Sequence, residues 1–225
     1  MDNSLKERPI LFSAPMVRAL QAGTKTQTRR VVKPHRADDA FVLVEQDRGW
    51  WPYRSPDGES MVMDDGCEYP FDCRYGVPGD RLRVKEAALM WCERRPNGTT
   101  ATGRQKWLYV PMREAPVHYA ADHPARPQVS VVSPDTGNVW GWRLKIGRFL
   151  PAWASRITLE VTGVRVERLQ EVSIADCIAE GISSGGPENP DGIERPEYRA
   201  LWESINGPGS WDANPFLWVV EFRRV

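Results

Sequence analysis

Between Arg156 and Val166 apolar and polar residues alternate with a period of two. Ile157, Leu159 and Val161 stand against Thr158, Glu160 and Thr162, and Val164 and Val166 resume the pattern after Gly163. Successive side chains of a strand point to opposite faces, so this stretch predicts a strand with one face in a core and the other in water. Such a strand needs a sheet beside it and a second layer against its apolar face. Phe216 to Phe222 predicts the last strand, and its near-continuous apolar run fits a core position. Two helices are expected between them. Ser173 is an N-cap for residues 174–180, with Gly181 as the stop, and residues 196–206 run to Gly207-Pro208-Gly209.

The N-terminal part reads in the same way. Arg8 to Phe12 predicts a short strand, and a helix follows from Ser13 or Ala14. Pro15 suits its first turn, Met16, Val17 and Leu20 share a face, and Gly23 ends it. Thr24 to Val32 predicts a strand that stops at Pro34. Pro78-Gly79-Asp80 predicts a tight turn into a strand in which Leu82 and Val84 alternate with Arg81, Arg83 and Lys85. Residues 35–75 contain a hairpin pattern, Phe41–Val44 with Trp50–Tyr53. Residues 87–150 read as a long irregular region with possible strands at Trp107–Val110 and Val129–Val132. Nineteen prolines, 18 glycines and ten tryptophans fit short strands, many turns and limited helix.

The charge pattern is local, not global. Lysine plus arginine equals aspartate plus glutamate, 30 each, so no overall field attracts a polyanion. Yet Gly23-Thr24-Lys25-Thr26-Gln27-Thr28-Arg29-Arg30 packs three cations and three hydroxyls into eight residues. Cations that close repel one another, so fixed carboxylates or an anionic ligand are expected near them. The tryptophans Trp140, Trp142 and Trp153, with Arg143, Lys145 and Arg148, either stack on bases or pack the region onto the core, and packing is favoured. Cys67, Cys73, Cys92 and Cys177 form no CxxC pair and read as buried or free thiols. Neither Cys67 and Cys73 with His35 nor His118 with His123 has a full ligand set, so no metal and no cofactor is expected. No apolar run approaches the roughly 18 residues of a membrane span, and the first eight residues hold no signal-peptide core. The reading is a soluble, cytoplasmic protein without a membrane partner.

Taken together, the order is strand, helix, Gly-Thr-Lys-Thr-x-Thr-x-Arg, then Pro-Gly-Asp-x-Leu-x-Val, a strand with Val161-Thr162, a short helix ending Ala179-Glu180-Gly181, and Trp218-Val219-Val220-Glu221-Phe222. This resembles the ASCH domain, a relative of the RNA-binding PUA domains. The likeness covers 9–33, 76–88 and 156–225, as the core of a single domain over 1–225. Residues 35–75 and 89–155 stand as insertions, and the length resembles the long ASCH proteins of phages and prophages. The resemblance implies an α+β fold: a PUA-like small β-barrel flanked by short helices, with a cleft beside the first helix. It also implies RNA or a nucleoside as the ligand, inside a bacterial or phage-infected cell.

In the short bacterial members that hydrolyse acetylcytidine, the motif-matched residues are catalytic. Here they are Lys25, Thr28 and Glu180, with Arg30 in the same pocket. The chemistry is coherent: Thr28 as nucleophile, Lys25 as base, and Glu180 as proton shuttle to the leaving amine. Arg29 and Arg30 press the Lys25 pKa down, and Glu180 raises it. Thr26, Arg29, Arg30, Arg83, Lys85 and Glu86 are expected to bind ligand or nucleic acid. Glu86 either assists Glu180 or pairs with Arg83 or Lys85 at the surface. Two other expectations stand beside the hydrolase: a non-catalytic module binding RNA or single-stranded DNA, and an ASCH-type ribonuclease.

Overall fold

The computed structural model describes residues 6–33, 40–46, 49–55, 73–122, 130–132, 138–182 and 194–225. Its elements are β1 (Glu7–Leu11), α1 (Ala14–Gln21), β2 (Gln27–Val31), β3 (Ala40–Gln46), β4 (Gly49–Ser55), β5 (Arg81–Lys85), β6 (Ala88–Thr99), β7 (Gln105–Pro111), β8 (Val117–Tyr119), β9 (Ser130–Val132), β10 (Val139–Lys145), β11 (Thr158–Arg168), α2 (Ile174–Ala179), α3 (Glu194–Asn206) and β12 (Phe216–Arg224). The class is α+β, dominated by strands. Among the described residues no helix is long and apolar enough to cross a membrane.

Two sheets and one hairpin hold these strands. One sheet has the order β1-β5-β11-β12-β2, and the other β7-β6-β10-β9 with β8 also on β6. Strands β3 and β4 form a separate antiparallel hairpin, as their sequence predicts. The five-stranded path runs open from β1 to β2, so the sheets do not close into the small barrel that the resemblance implied. The chain divides into two compact units, Met1–Arg8 with Ala19–Leu82 and Leu159–Val225, and Pro9–Arg18 with Arg83–Thr158.

In the first unit β12 lies between β11 and β2, antiparallel to both. That position explains its run of buried residues, Leu217 to Val220, because a central strand is covered on both faces. The register slips between Val161 and Gly163, leaving Thr162 as the extra residue of a bulge. Helices α2 and α3 bring Cys177, Tyr198 and Trp202 against Leu169, Val172, Trp211 and Leu217. Tyr198 meets Trp211 edge to face at 6.2 Å, a geometry that adds to the area buried.

The second unit contains the region that reads as irregular in sequence. Residues 88–99 are instead one twelve-residue strand, β6, paired with β7, β8 and β10. Two features hide it. Pro96 sits inside the strand, and Leu89 and Trp91 on one face obscure the alternation with Met90 and Cys92 on the other. Ala88, Met90, Cys92, Leu150 and Ala154 form this unit's core, with Tyr109, Val117 and Tyr119 against it. Trp142 packs edge to face on Trp91 at 5.4 Å and against His118 at 4.7 Å, which is the packing role expected for it.

Candidate functional site

The Gly23–Arg30 stretch begins as a helix stop. Gly23 adopts a left-handed φ of 76°, and the amides of Thr24 and Lys25 both return to the Ala19 carbonyl at 3.0 and 3.2 Å. These bonds hold Thr24 and Lys25 out of the ladder, and β2 starts at Gln27, not at Thr24. Thr26 has a fixed backbone: its amide donates to the Ala179 carbonyl at 2.8 Å and its carbonyl accepts from Phe222 at 2.9 Å. The motif is thereby tied to the end of α2.

At that junction Lys25 and Glu180 meet. Lys25 Nζ donates to Glu180 Oε2 at 2.6 Å and to the Glu180 carbonyl at 2.8 Å. Their side chains are 0% and 5% exposed, a fully enclosed ion pair. Ser173 caps α2 through a reciprocal box with Asp176. At the other end, Glu180 is the C-cap and Gly181 follows at φ 92°. A Cβ on Gly181 would stand 2.8 Å from that of Ala19 and 3.4 Å from that of Lys25, so only glycine fits there.

Regular pairing with β12 sets the rest of β2. Thr28 lies opposite Val220, Arg29 opposite Val219 and Arg30 opposite Trp218. Alternation therefore places Gln27 and Arg29 on one face, and Thr28 and Arg30 on the other. The hydrogen bonds follow this division. Gln27 Nε2 donates to Asp176 Oδ1 at 2.9 Å. Arg29, with a wholly buried side chain, reaches Glu167 at 3.0 Å, Asp176 at 3.2 Å and Glu180 at 3.8 Å. On the opposite face Arg30 Nη1 donates to Thr28 Oγ1 at 2.8 Å, and Thr28 is itself buried.

Burial is the largest influence on Lys25 and presses its pKa below the ordinary lysine value. The charge and hydrogen bond of Glu180 act the other way, Arg30 and Arg29 add to the lowering, and the net shift is downward. This resolves the competition left open by the sequence. Asp176 moves to the low side of the carboxylate range. Burial opposes that shift, but the Ser173 hydroxyl and amide, the Gln27 amide and Arg29 outweigh it. Among the described residues Glu180 Oε1 and Arg29 Nη1 are buried without a hydrogen-bond partner, facing each other across 3.8 Å.

Lys25, Thr28, Arg29, Arg30 and Glu180 thus all belong to the first unit. Arg29, expected on the ligand, is instead buried among carboxylates. Asp176 and Glu167 were not singled out in the sequence. Asp176 lies four residues before Glu180, one helical turn away, and that spacing was the available signal.

Arg83, Lys85 and Glu86 belong to the second unit. Leu82 and Val84 are buried and Arg81, Arg83 and Lys85 are not, as the alternation predicts. Lys85 Nζ donates to the Arg148 carbonyl. Glu86 is no surface group: it is 2% exposed, and Arg156 spans its carboxylate with bonds of 2.8 and 3.1 Å. Arg156 also grips Asp122 through two nitrogens and lies 3.9 Å over the Tyr119 ring. Cys73, Cys92 and Cys177 are free and buried. Burial pushes Cys73 and Cys177 up to about 11. Among the described residues no group of three or more His, Cys, Asp or Glu is arranged to hold a metal ion, and His35, Cys67 and His123 lie outside them.

Comparison of the chain with models of known protein families, with curated proteins and with solved structures gives no match.

Proposed function

We propose that this chain is an ASCH-type protein of the PUA-like class whose Lys25/Thr28/Glu180 centre binds a nucleoside and hydrolyses an acyl group from the exocyclic amine of a cytidine. The observation that carries the reading is the enclosed Lys25–Glu180 pair, in which burial lowers the lysine pKa. A lysine whose pKa is lowered gives up its proton more readily than an exposed lysine, which suits it to the role of a general base. Kinship with the ASCH fold is supported by the order β1, α1, β2, β5, β11, α2, β12 around the motif, although the sheet is open where the family's is a barrel.

In this reading Thr28 Oγ attacks the amide carbonyl, and its proton passes by way of water to the fraction of Lys25 that has released its own proton. Glu180, bonded to Lys25 Nζ, relays a proton to the departing cytidine nitrogen, so the C–N bond breaks and free amine leaves. Water then cleaves the threonine ester to release the carboxylate and restore the hydroxyl. Arg30 Nη1, already 2.8 Å from Thr28 Oγ1, favours negative charge on that oxygen. The burial of Arg29 supports a nucleoside over a polymer as the ligand, because a wholly enclosed guanidinium offers nothing to a phosphate chain.

The test is turnover of acetylcytidine followed by chromatography. Wild type should release cytidine. Thr28→Ala should abolish release while still binding cytidine by calorimetry, and Lys25→Met should lower kcat by about 10²–10⁴-fold, the usual worth of a positioned base. Absence of cytidine at high enzyme concentration would rule out this reaction.

A further inference from the structure

We propose that the β6–β7 hairpin of the second unit is a docking ribbon for single-stranded nucleic acid, built on a ladder of alternating guanidinium and aromatic groups. This involves only residues of that unit and does not depend on the hydrolase reading. In the paired register Arg94 stands opposite Tyr109 and Pro96 opposite Trp107. Arg143 of β10 is opposite Met90, an even number of residues from Arg94, so all these side chains share one face. There the Arg94 guanidinium lies 4.2 Å from the Trp107 ring and that of Arg143 lies 4.2 Å from the Tyr109 ring. The order across the face is Trp107, Arg94, Tyr109, Arg143.

Toward its base this face is core, with Met90 and Cys92 buried; toward the tip it is open. Nearly every residue from Arg95 to Leu108 is exposed, and Trp107 is 47% exposed. A large indole left half in water, with a cation already over one side, has its remaining surface available to a flat π system. Charge selects the kind of ligand. Residues 88–111 carry Arg94, Arg95, Arg104 and Lys106 against a single carboxylate, Glu93, in a chain whose formal net charge is zero. Arg95 is held by Glu93 at 2.7 Å. The side chains of Arg94, Arg104 and Lys106 meet no carboxylate among the described residues, whereas Lys25, Arg29, Arg156 and Arg165 each do. Cations without counter-charges beside an exposed indole match a strand whose bases are free to stack and whose phosphates lie alongside. A duplex hides its base faces and offers the indole nothing.

The experiment is fluorescence anisotropy of the full chain with a labelled oligouridylate of about 20 nucleotides, titrated between about 50 and 200 mM salt. Trp107→Ala should weaken binding about 5- to 150-fold, the range of one base–aromatic stack. Arg94→Gln with Lys106→Gln should weaken it and flatten the slope of log K against log salt by about 1.4, or 0.7 for each phosphate no longer neutralised. Arg224→Gln should leave both unchanged, and thermal melts by circular dichroism should show that the ribbon variants remain folded. Absence of binding at the lowest salt would overturn the proposal. So would equal affinity for a duplex of the same length or for polyglutamate, or binding untouched by folded ribbon variants.

Discussion

Replacing Glu180 by glutamine tests the charge logic of the site directly. Both side chains of the Lys25–Glu180 pair are enclosed, at 0% and 5% exposure. Removing one partner of a buried pair typically costs about 3–5 kcal/mol, because the other charge is left uncompensated. The two halves are not equivalent here. Without Glu180, Lys25 keeps its burial and the two cations Arg30 and Arg29, all of which press its pKa down, and loses the carboxylate that opposes them. Without Lys25, Glu180 still faces Arg29 at 3.8 Å. Glu180→Gln should therefore fall near the upper end, about 5 kcal/mol, and Lys25→Met near the lower end, about 3 kcal/mol. The double variant, with no charge to strand, should return to within about 1–2 kcal/mol of wild type. At about 2–4 °C per kcal/mol for a chain of this size, Glu180→Gln lowers Tm by about 10–20 °C. The pH dependence has a definite sign. In Glu180→Gln the folded lysine pKa is below its unfolded value near 10.4, so between the two the unfolded chain binds more protons. Its deficit against wild type is greatest below the folded pKa and shrinks as pH rises toward about 10. Urea melts of the four proteins across this range decide the matter. A cost below about 1 kcal/mol for Glu180→Gln, or a double variant as unstable as the sum of the singles, would refute the reasoning.

Three further outcomes follow from the same geometry. Gly181→Ala combines a left-handed backbone with a Cβ 2.8 Å from that of Ala19, and should cost about 2–4 kcal/mol in urea melts, from αL strain plus overpacking. Asp176, whose folded pKa is depressed, contributes stability that is full above the ordinary carboxylate pKa and is lost as pH falls below it. Asp176→Asn should thus be about 1–3 kcal/mol less stable at pH 7 and show a shallower loss between about pH 4 and 2, read from acid melts. Cys73 and Cys177, buried and raised to about 11, should resist iodoacetamide at pH 8 in the folded protein and react after denaturation, as peptide mass spectrometry would show.

What the sequence revealed was mostly local. Gly23, Ser173 and Gly181 punctuate α1 and α2 because caps and left-handed stops act over three or four residues, and the structure places the ends of both helices there. The alternation of Ile157 to Val166 and the run of Phe216 to Phe222 were legible for the same reason. β6 was not, because its strand carries apolar groups on both faces and a proline within, and only pairing with β7 and β10 shows what it is. Lys25 and Glu180 are 155 positions apart, and no periodicity links them; only the resemblance to the ASCH motifs connects the two. Arg29 shows the opposite limit. Its residue type fits a phosphate as well as a carboxylate, and only the register against Val219 decides that it faces Asp176 and Glu167.

That register bears on function. Three cations in eight residues suggest an anion site, but two of them are consumed within the fold: Lys25 by Glu180, and Arg29 by Glu167, Asp176 and Glu180. A phosphate chain at this place would have to displace enclosed carboxylates already within salt-bridge distance, at a cost that its own charge, screened in water, does not offset. A neutral ligand faces no such competition, and the proposed amide hydrolysis would use the pair present here: an amine whose proton is loosened by burial and a carboxylate bonded to it to carry that proton. Among the described residues Arg94, Arg104 and Lys106, on the exposed ribbon of the second unit beside an indole, meet no carboxylate. The two chemistries that the sequence presents as alternatives, acting on a nucleoside and holding a strand, are therefore proposed for different sets of residues. Each can be perturbed without the other: Thr28→Ala should end turnover and leave strand binding, and Trp107→Ala should weaken strand binding and leave turnover.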